Sequence, residues 1–158
     1  MTKTYFVTAS AYMKQNLFQK PEVAQLFIST MFRYRDLGRL SVHEYVVMPN
    51  HVHVLFSIED GNSLGQAVQL LKGGFSHALG VDGLGMKAVW QPGYYDHRVR
   101  DTGEYLRIRN YVRCNPVRRG LAEAPEEYCF SSASPAARLD EVPDGLKPRT
   151  REAHVTPA

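Results

Sequence analysis

Apolar positions along the chain recur with two periods, and the alternation between them predicts its elements. Tyr5 to Tyr12 alternates aromatic with small residues and reads as a strand. From Glu22 to Leu37 apolar residues fall at 23, 26, 27, 31 and 34, a helical period. Pro21 stands at the start of that helix and Gly38 just past its end, where each is favoured. Leu40 to Met48 and His51 to Ile58 are strand-like runs, and the turn residues Pro49-Asn50 make them an antiparallel pair. Asp60 to Ser63 is a further turn, with Asn62 or Ser63 as cap for a second helix, Leu64 to Leu79. Gly73-Gly74 weakens that helix in the middle, and 80–87 is glycine-rich and expected to be a flexible loop. Lys87 to Trp90 and Tyr94 to Val99 read as extended, split by Pro92-Gly93. Thr102 caps a third helix, Gly103 to Asn115, ended by Pro116 because proline disfavours helix in the residue before it.

The order strand, helix, strand, strand, helix, strand, helix points to an α+β fold. The expected form is a ferredoxin-like sandwich, a largely antiparallel sheet with helices packed on one face. Residues 1–132 make one domain. Residues 133–158 carry Pro135, Pro143, Pro148 and Pro157 with few large apolar side chains, and are expected as an extended or mobile tail outside the core. The length suffices for a core without staples. Cys114 and Cys129 are too few for a disulfide framework and lack the spacing of a zinc knuckle. No signal segment and no membrane-length apolar run is visible, so a cytoplasmic protein without membrane contact is expected.

Charge changes the picture by its distribution rather than its sum. The net charge is +3, yet Arg98, Arg100, Arg107, Arg109, Arg113, Arg118 and Arg119 lie in one segment against only Asp101 and Glu104. Arginine pairs with phosphate through a planar fork. Such a stripe points to a polyanion, nucleic acid first among them, with a merely solvated arginine-rich helix as the plain alternative.

The candidate chemistry begins at Val46-Val47-Met48-Pro49-Asn50-His51-Val52-His53-Val54-Leu55-Phe56. On a strand His51 and His53 share one face while Val52 and Val54 share the other. Two imidazoles together can hold one metal ion, although structural histidines read equally well here. In the third helix Tyr111 and Asn115 are four apart and so share a face. Were that face packed over the histidines, Asn115 would offer an amide oxygen as a third ligand and Tyr111 a phenol beside the metal. A phosphodiester polarised there is open to attack by the phenol, releasing a 3′ hydroxyl and leaving a 5′-phosphotyrosine link. Taken singly, Tyr111 also reads as an ordinary half-buried helix tyrosine and Asn115 as a helix-ending residue.

The same residues carry a resemblance. Val46 to His53 resembles the HUH strand (His, bulky apolar, His) of the single-tyrosine transposases. Trp90-Gln91-Pro92-Gly93-Tyr94-Tyr95-Asp96-His97 resembles the second signature of their REP-associated branch, and Tyr111 to Leu121 the third. Phe130-Ser131-Ser132-Ala133 resembles the closing one, where tryptophan is more usual than Phe130. The likeness spans roughly residues 4 to 133 in correct order.

It implies Mg²⁺ or Mn²⁺ at His51 and His53, Asn115 as third ligand, and Tyr111 as the nucleophile on single-stranded DNA beside a recognised hairpin. Lys72, Arg98, Arg100, Arg113, Arg118 and Arg119 are the candidate phosphate contacts. Tyr94 and Tyr95 are candidates to stack on unpaired bases, as is Trp90, for which core packing is the simpler reading. Gln91, Asp96 and His97 receive no role, and His43, His77 and His154 only a structural one. Two other classes compete: a catalytically silent hairpin-DNA-binding regulator of the same fold, and a small-molecule metalloenzyme that leaves the arginines unexplained. Monomer or homodimer, and whether Tyr111 meets its own histidines or a partner's, stay open.

Overall fold

Strand and helix alternate where the two apolar periods change over. The computed structural model describes residues 2–81 and 88–147. Within them the order is β1 (Thr2–Ser10), α1 (Pro21–Asp36), β2 (Ser41–Met48), β3 (His51–Glu59), α2 (Leu64–Val81), β4 (Tyr95–Val99) and α3 (Thr102–Arg118). The strands form one sheet in the order β2-β3-β1-β4, every neighbouring pair antiparallel. Two strand-helix-strand crossovers interleaved in this way are the ferredoxin-like arrangement read from the sequence.

Alternation along β3 divides the core in two. Val52, Val54, Phe56 and Ile58 face α1 and α2, where Phe18, Phe27, Met31 and Phe75 close the larger cluster. Leu55 faces the other way with Phe6, Val46 and Met48, and Tyr105 and Val112 of α3 cover them. Helices therefore lie on both faces of the sheet, not on one. The reason is the second apolar face itself: without α3, four large side chains would stand in water.

The ends of the helices follow local chemistry. Ser63 caps α2, its Oγ accepting from Gln66 N–H at 3.1 Å. For α3 the cap is Asp101 rather than Thr102, with Oδ1 accepting from Glu104 N–H at 2.8 Å. Pro116 does not end α3, which runs on to Arg118. A proline forfeits one helical bond but leaves the next turn intact, and Arg119 N–H still reaches the Asn115 carbonyl at 3.1 Å. The stop is Gly120, at φ +72°. Its N–H bonds the Val117 carbonyl and that of Leu121 the Pro116 carbonyl, the paired closure that a left-handed glycine permits.

Segments outside the regular elements also pack. Gly80 and Val81 continue α2 instead of entering a loop, and 82–87 lie outside the described residues. Val89 to Gln91 runs beside the end of β1, with Ala11 bridging Trp90. Trp90 packs against Phe18, Phe27 and Phe75, the simpler of its two readings. The Phe130–Ala133 stretch lies along the outer edge of β2, through Val47 N–H to the Phe130 carbonyl and Ser132 N–H to the Tyr45 carbonyl. That covers an edge which would otherwise offer unpaired groups.

Residues 137–147 do not stand outside the core as expected. Asp140 takes a forked pair from Arg35 and the Val42 N–H, and Leu146 is buried beside α3. Carboxylate anchoring needs no apolar run, so hydropathy did not reveal it. The remainder of the expected tail, from 148, lies outside the described residues.

Candidate active site

The face of the sheet beneath α3 carries the histidines. β-sheet register sets Val46, His53, Thr8 and Tyr95 in one row across all four strands. His51 opposes Ser10 two pairs further along, on the same face. The two imidazole rings stand 4.7 Å apart between centroids. The Tyr111 ring of α3 is 5.5 Å from that of His53, and Phe6 stacks on His53 at 5.4 Å. Tyr111 and His53, which sequence spacing alone could not bring together, thus meet within a single chain.

Each imidazole is oriented by its Nδ1. For His51 that atom lies 2.7 Å from Asn50 Oδ1, an acceptor, so the ring donates there and Nε2 keeps a lone pair. For His53 it lies 2.7 Å from Thr8 Oγ1. His53 Nε2 is buried and has no partner. Asn115, one turn beyond Tyr111 and 3% exposed, likewise has a buried Nδ2 without a partner. Buried polar atoms are rarely left this way unless something else binds them.

Burial, chiefly, lowers both histidines from 6.5. Arg119 and Lys14 add to the effect at His51, bringing it to about 4. His51, Arg119 and Arg118 add to it at His53, bringing it to about 3. Both rings are therefore neutral at ordinary pH, the form that ligates a metal. Among the described residues no group of three or more His, Cys, Asp and Glu is placed to hold an ion. A third protein donor at this pair would be of another type, and Asn115, buried on the helical turn after Tyr111, has an amide that could be rotated to present oxygen in place of its unpartnered nitrogen. The donor set of two neutral imidazoles and an amide fits a divalent ion of borderline hardness.

Around Tyr111 the cations differ in what they do. Tyr111 is 43% exposed as a residue. Arg118 stands over its ring, guanidinium carbon 4.6 Å from the centroid, and donates to the Tyr111 carbonyl at 2.7 Å. Arg119 is close enough to act on both histidines. Arg113, expected to contact phosphate, is instead turned inward: it forks onto the buried Glu44 at 2.8–3.1 Å, and Arg109 joins at 3.4 Å. Lys72 is also engaged, holding the Gln91 and Gly93 carbonyls at 3.2 and 2.8 Å. Arg98 pairs with Tyr5 on β1 and so shares the sheet face turned away from the histidines. Arg100 lies exposed just past β4. Of the six candidates, Arg118 stands at the tyrosine and Arg119 near the histidines.

Thr8, Asn50, Phe6 and Glu44 escaped the sequence reading. Glu44 had a signal, a lone charge inside the apolar run of β2. Thr8 had none, since only the pairing of β1 with β3 brings it to His53.

Comparison with known proteins then bears on the arrangement. Residues 2–115 match the family described as "Transposase IS200 like". A REP-associated tyrosine transposase of Escherichia coli (strain K12) is 28% identical over 92 residues, 58% of this chain and 53% of that protein. The matched segment thus spans about half the length of that relative. Among solved structures, a REP-associated tyrosine transposase bound to a REP hairpin superimposes with a TM-score of 0.71 at 22% identity, covering 93% of this chain and 89% of that one. A putative transposase from Deinococcus radiodurans gives 0.57 at 19% identity, covering 71% and 89%. At these identities the two structures speak for the fold alone.

Proposed function

Given that the chain belongs to the IS200-like transposase family, we propose that it nicks and rejoins single-stranded DNA beside a hairpin, with Tyr111 as nucleophile. The observation that carries this is the Tyr111 ring lying 5.5 Å from His53, whose Nε2 is buried and unpartnered. The phenol loses its proton to solvent, to which it is open, and its oxygen attacks phosphorus. The bond from phosphorus to the 3′ oxygen breaks, and that oxygen takes up a proton as a 3′ hydroxyl. The 5′ end stays on Tyr111 as a phosphodiester, so its bond energy is kept and a second 3′ hydroxyl can reverse the step without ATP.

His51, His53 and Asn115 would hold Mg²⁺ or Mn²⁺, which when bound supplies Lewis-acid polarisation of the phosphate. Thr8 and Asn50 orient the imidazoles, as partners behind metal-ligating histidines do. Arg118 and Arg119 bring positive charge to the place where negative charge develops. Tyr111 and His53 meet within one chain, which supports cleavage by a single copy. A relative named as a REP-associated tyrosine transposase, and a structural neighbour of that description bound to a REP hairpin, support hairpin DNA as the substrate class.

The test is incubation with a labelled pool of hairpin-bearing single strands and Mg²⁺, then a denaturing gel. A protein-linked strand should form, and Tyr111→Phe should abolish it while still retaining hairpins. An adduct that survives Tyr111→Phe removes the tyrosine from its role. Tight hairpin retention by the unaltered chain with no adduct would establish the silent regulator instead.

A further inference from the structure

Between β4 and α3, next to Tyr111, runs an open groove of about 430 Å³. Phe6 is its floor. Tyr95 and Tyr111 stand on that floor at 71° and 87° to the Phe6 ring, with centroids 6.5 and 6.2 Å away. Two upright aromatic walls over an aromatic floor make a slot for a planar ring. Tyr95 is 60% exposed, so the core gains little from it. It lies in the register row of His53, two strand spacings or about 10 Å away. That is the scale of the distance from a phosphate to a neighbouring base.

The polar edge of the slot is set in advance. Glu104 Oε1 lies 3.0 Å from His97 Nε2, and Oε2 accepts from Arg100 N–H at 3.0 Å. These partners hold its carboxyl below the usual carboxylate range. An ionised carboxylate only accepts hydrogen bonds. Arg107 adds a donor at the rim. We propose that this groove takes one unpaired base of the strand under attack, stacked on Tyr95, and that Glu104 selects a base bearing an exocyclic amino group over thymine.

Adenine, cytosine and guanine offer that amino group; thymine offers only its N3–H, which is flanked on both sides by carbonyl oxygens that repel a carboxylate. Stacking is indifferent to sequence, whereas the carboxylate is not. The proposal rests on Tyr111 as nucleophile for its position but reads a different quantity, the identity of the base beside the cut.

Two measurements test it on the full chain. In the first, hairpin strands with a randomised flank are offered with Mg²⁺, and the linked strands are sequenced. Thymine should be depleted at one position flanking the linked phosphate. Glu104→Gln, which offers both a donor and an acceptor, should remove the depletion, and Tyr95→Ala should reduce it by about fivefold or more. In the second, 2-aminopurine is moved stepwise along the flank of a hairpin retained by the Tyr111→Phe chain. One position should be quenched on binding, and adding Tyr95→Ala should abolish the quenching. Quenching at one position without any adduct would leave the groove standing and sink the nucleophile. Adducts with the same base composition in all three proteins, or no quenched position, would overturn the groove.

Discussion

His53 shows how one residue couples stability to function. Its ring is buried among Phe6, Tyr111 and His51, and it carries a neutral Nε2 with no protein partner. Folding therefore costs free energy that a partnered core residue would not. The cost depends on pH. In the unfolded chain both histidines protonate near 6.5, whereas in the folded one they do so only at about 4 for His51 and about 3 for His53. Below 6.5 the unfolded chain takes up protons that the folded chain refuses, so stability falls with acidification and levels off only below the folded values. Thermal unfolding between about pH 7 and about pH 4 should show this decline, and His53→Asn should flatten it by up to about 1.4 kcal/mol per pH unit. An unchanged slope in that variant would mean that His53 is protonated in the fold.

Helix α3 is the element that turns a sheet with two histidines into a site. Its apolar anchors, Tyr105 and Val112, press on Phe6, Leu55 and Val46, but an apolar stripe alone leaves rotation about the helix axis loosely set. Glu44 sets it. The carboxylate is buried in β2, where Arg113 grips it with a bidentate fork and the Ser132 hydroxyl donates to it. Arg113 follows Tyr111 by two residues, so the grip on Glu44 also fixes where the phenol points. Removing Arg113 leaves a buried charge held by the Ser132 hydroxyl and by Arg109 at 3.4 Å. Arg113→Met should cost at least about 2 kcal/mol, short of the 3–5 of a fully buried pair because Arg113 is 30% exposed. Adding Glu44→Leu should recover most of that loss, as read by urea unfolding. Single and double variants of equal stability would show that the pair does not hold the helix.

Across the whole molecule, the segment from 137 to 147 returns to the sheet and joins elements far apart in sequence. Asp140 links α1 through Arg35 to the start of β2 through the Val42 N–H, and its carbonyl meets His43 Nδ1 at 3.3 Å. Arg35 holds the Asp140 carboxyl below the usual carboxylate range, with help from the Val42 N–H. Truncation after residue 132 should therefore lower the thermal midpoint. Asp140→Asn alone should give part of that loss, about 1–2 kcal/mol, because the fork and one charge are removed while the shape is kept. A truncated chain that melts with the full one would return this segment to the status of a tail.

Short-range rules carried much of this protein. Period and punctuation located the seven strands and α-helices of the described residues, and their order implied the ferredoxin-like sheet. The alternation of β3 put His51 and His53 on one face, and helical spacing put Tyr111 with Asn115. These are properties of a chain segment and its nearest neighbours, so a sequence can express them. Pro116 misled as a helix stop because a proline forfeits only one helical bond, and the bond from Arg119 N–H to the Asn115 carbonyl carries the helix past it to Arg118. What the fold alone decided is which side chains from distant segments meet: α3 on the second face, Thr8 behind His53, Arg113 turned inward to Glu44, Asp140 on Arg35. Such pairings depend on strand register and helix rotation, which arise from packing the whole chain at once and leave no periodic trace in any part of it.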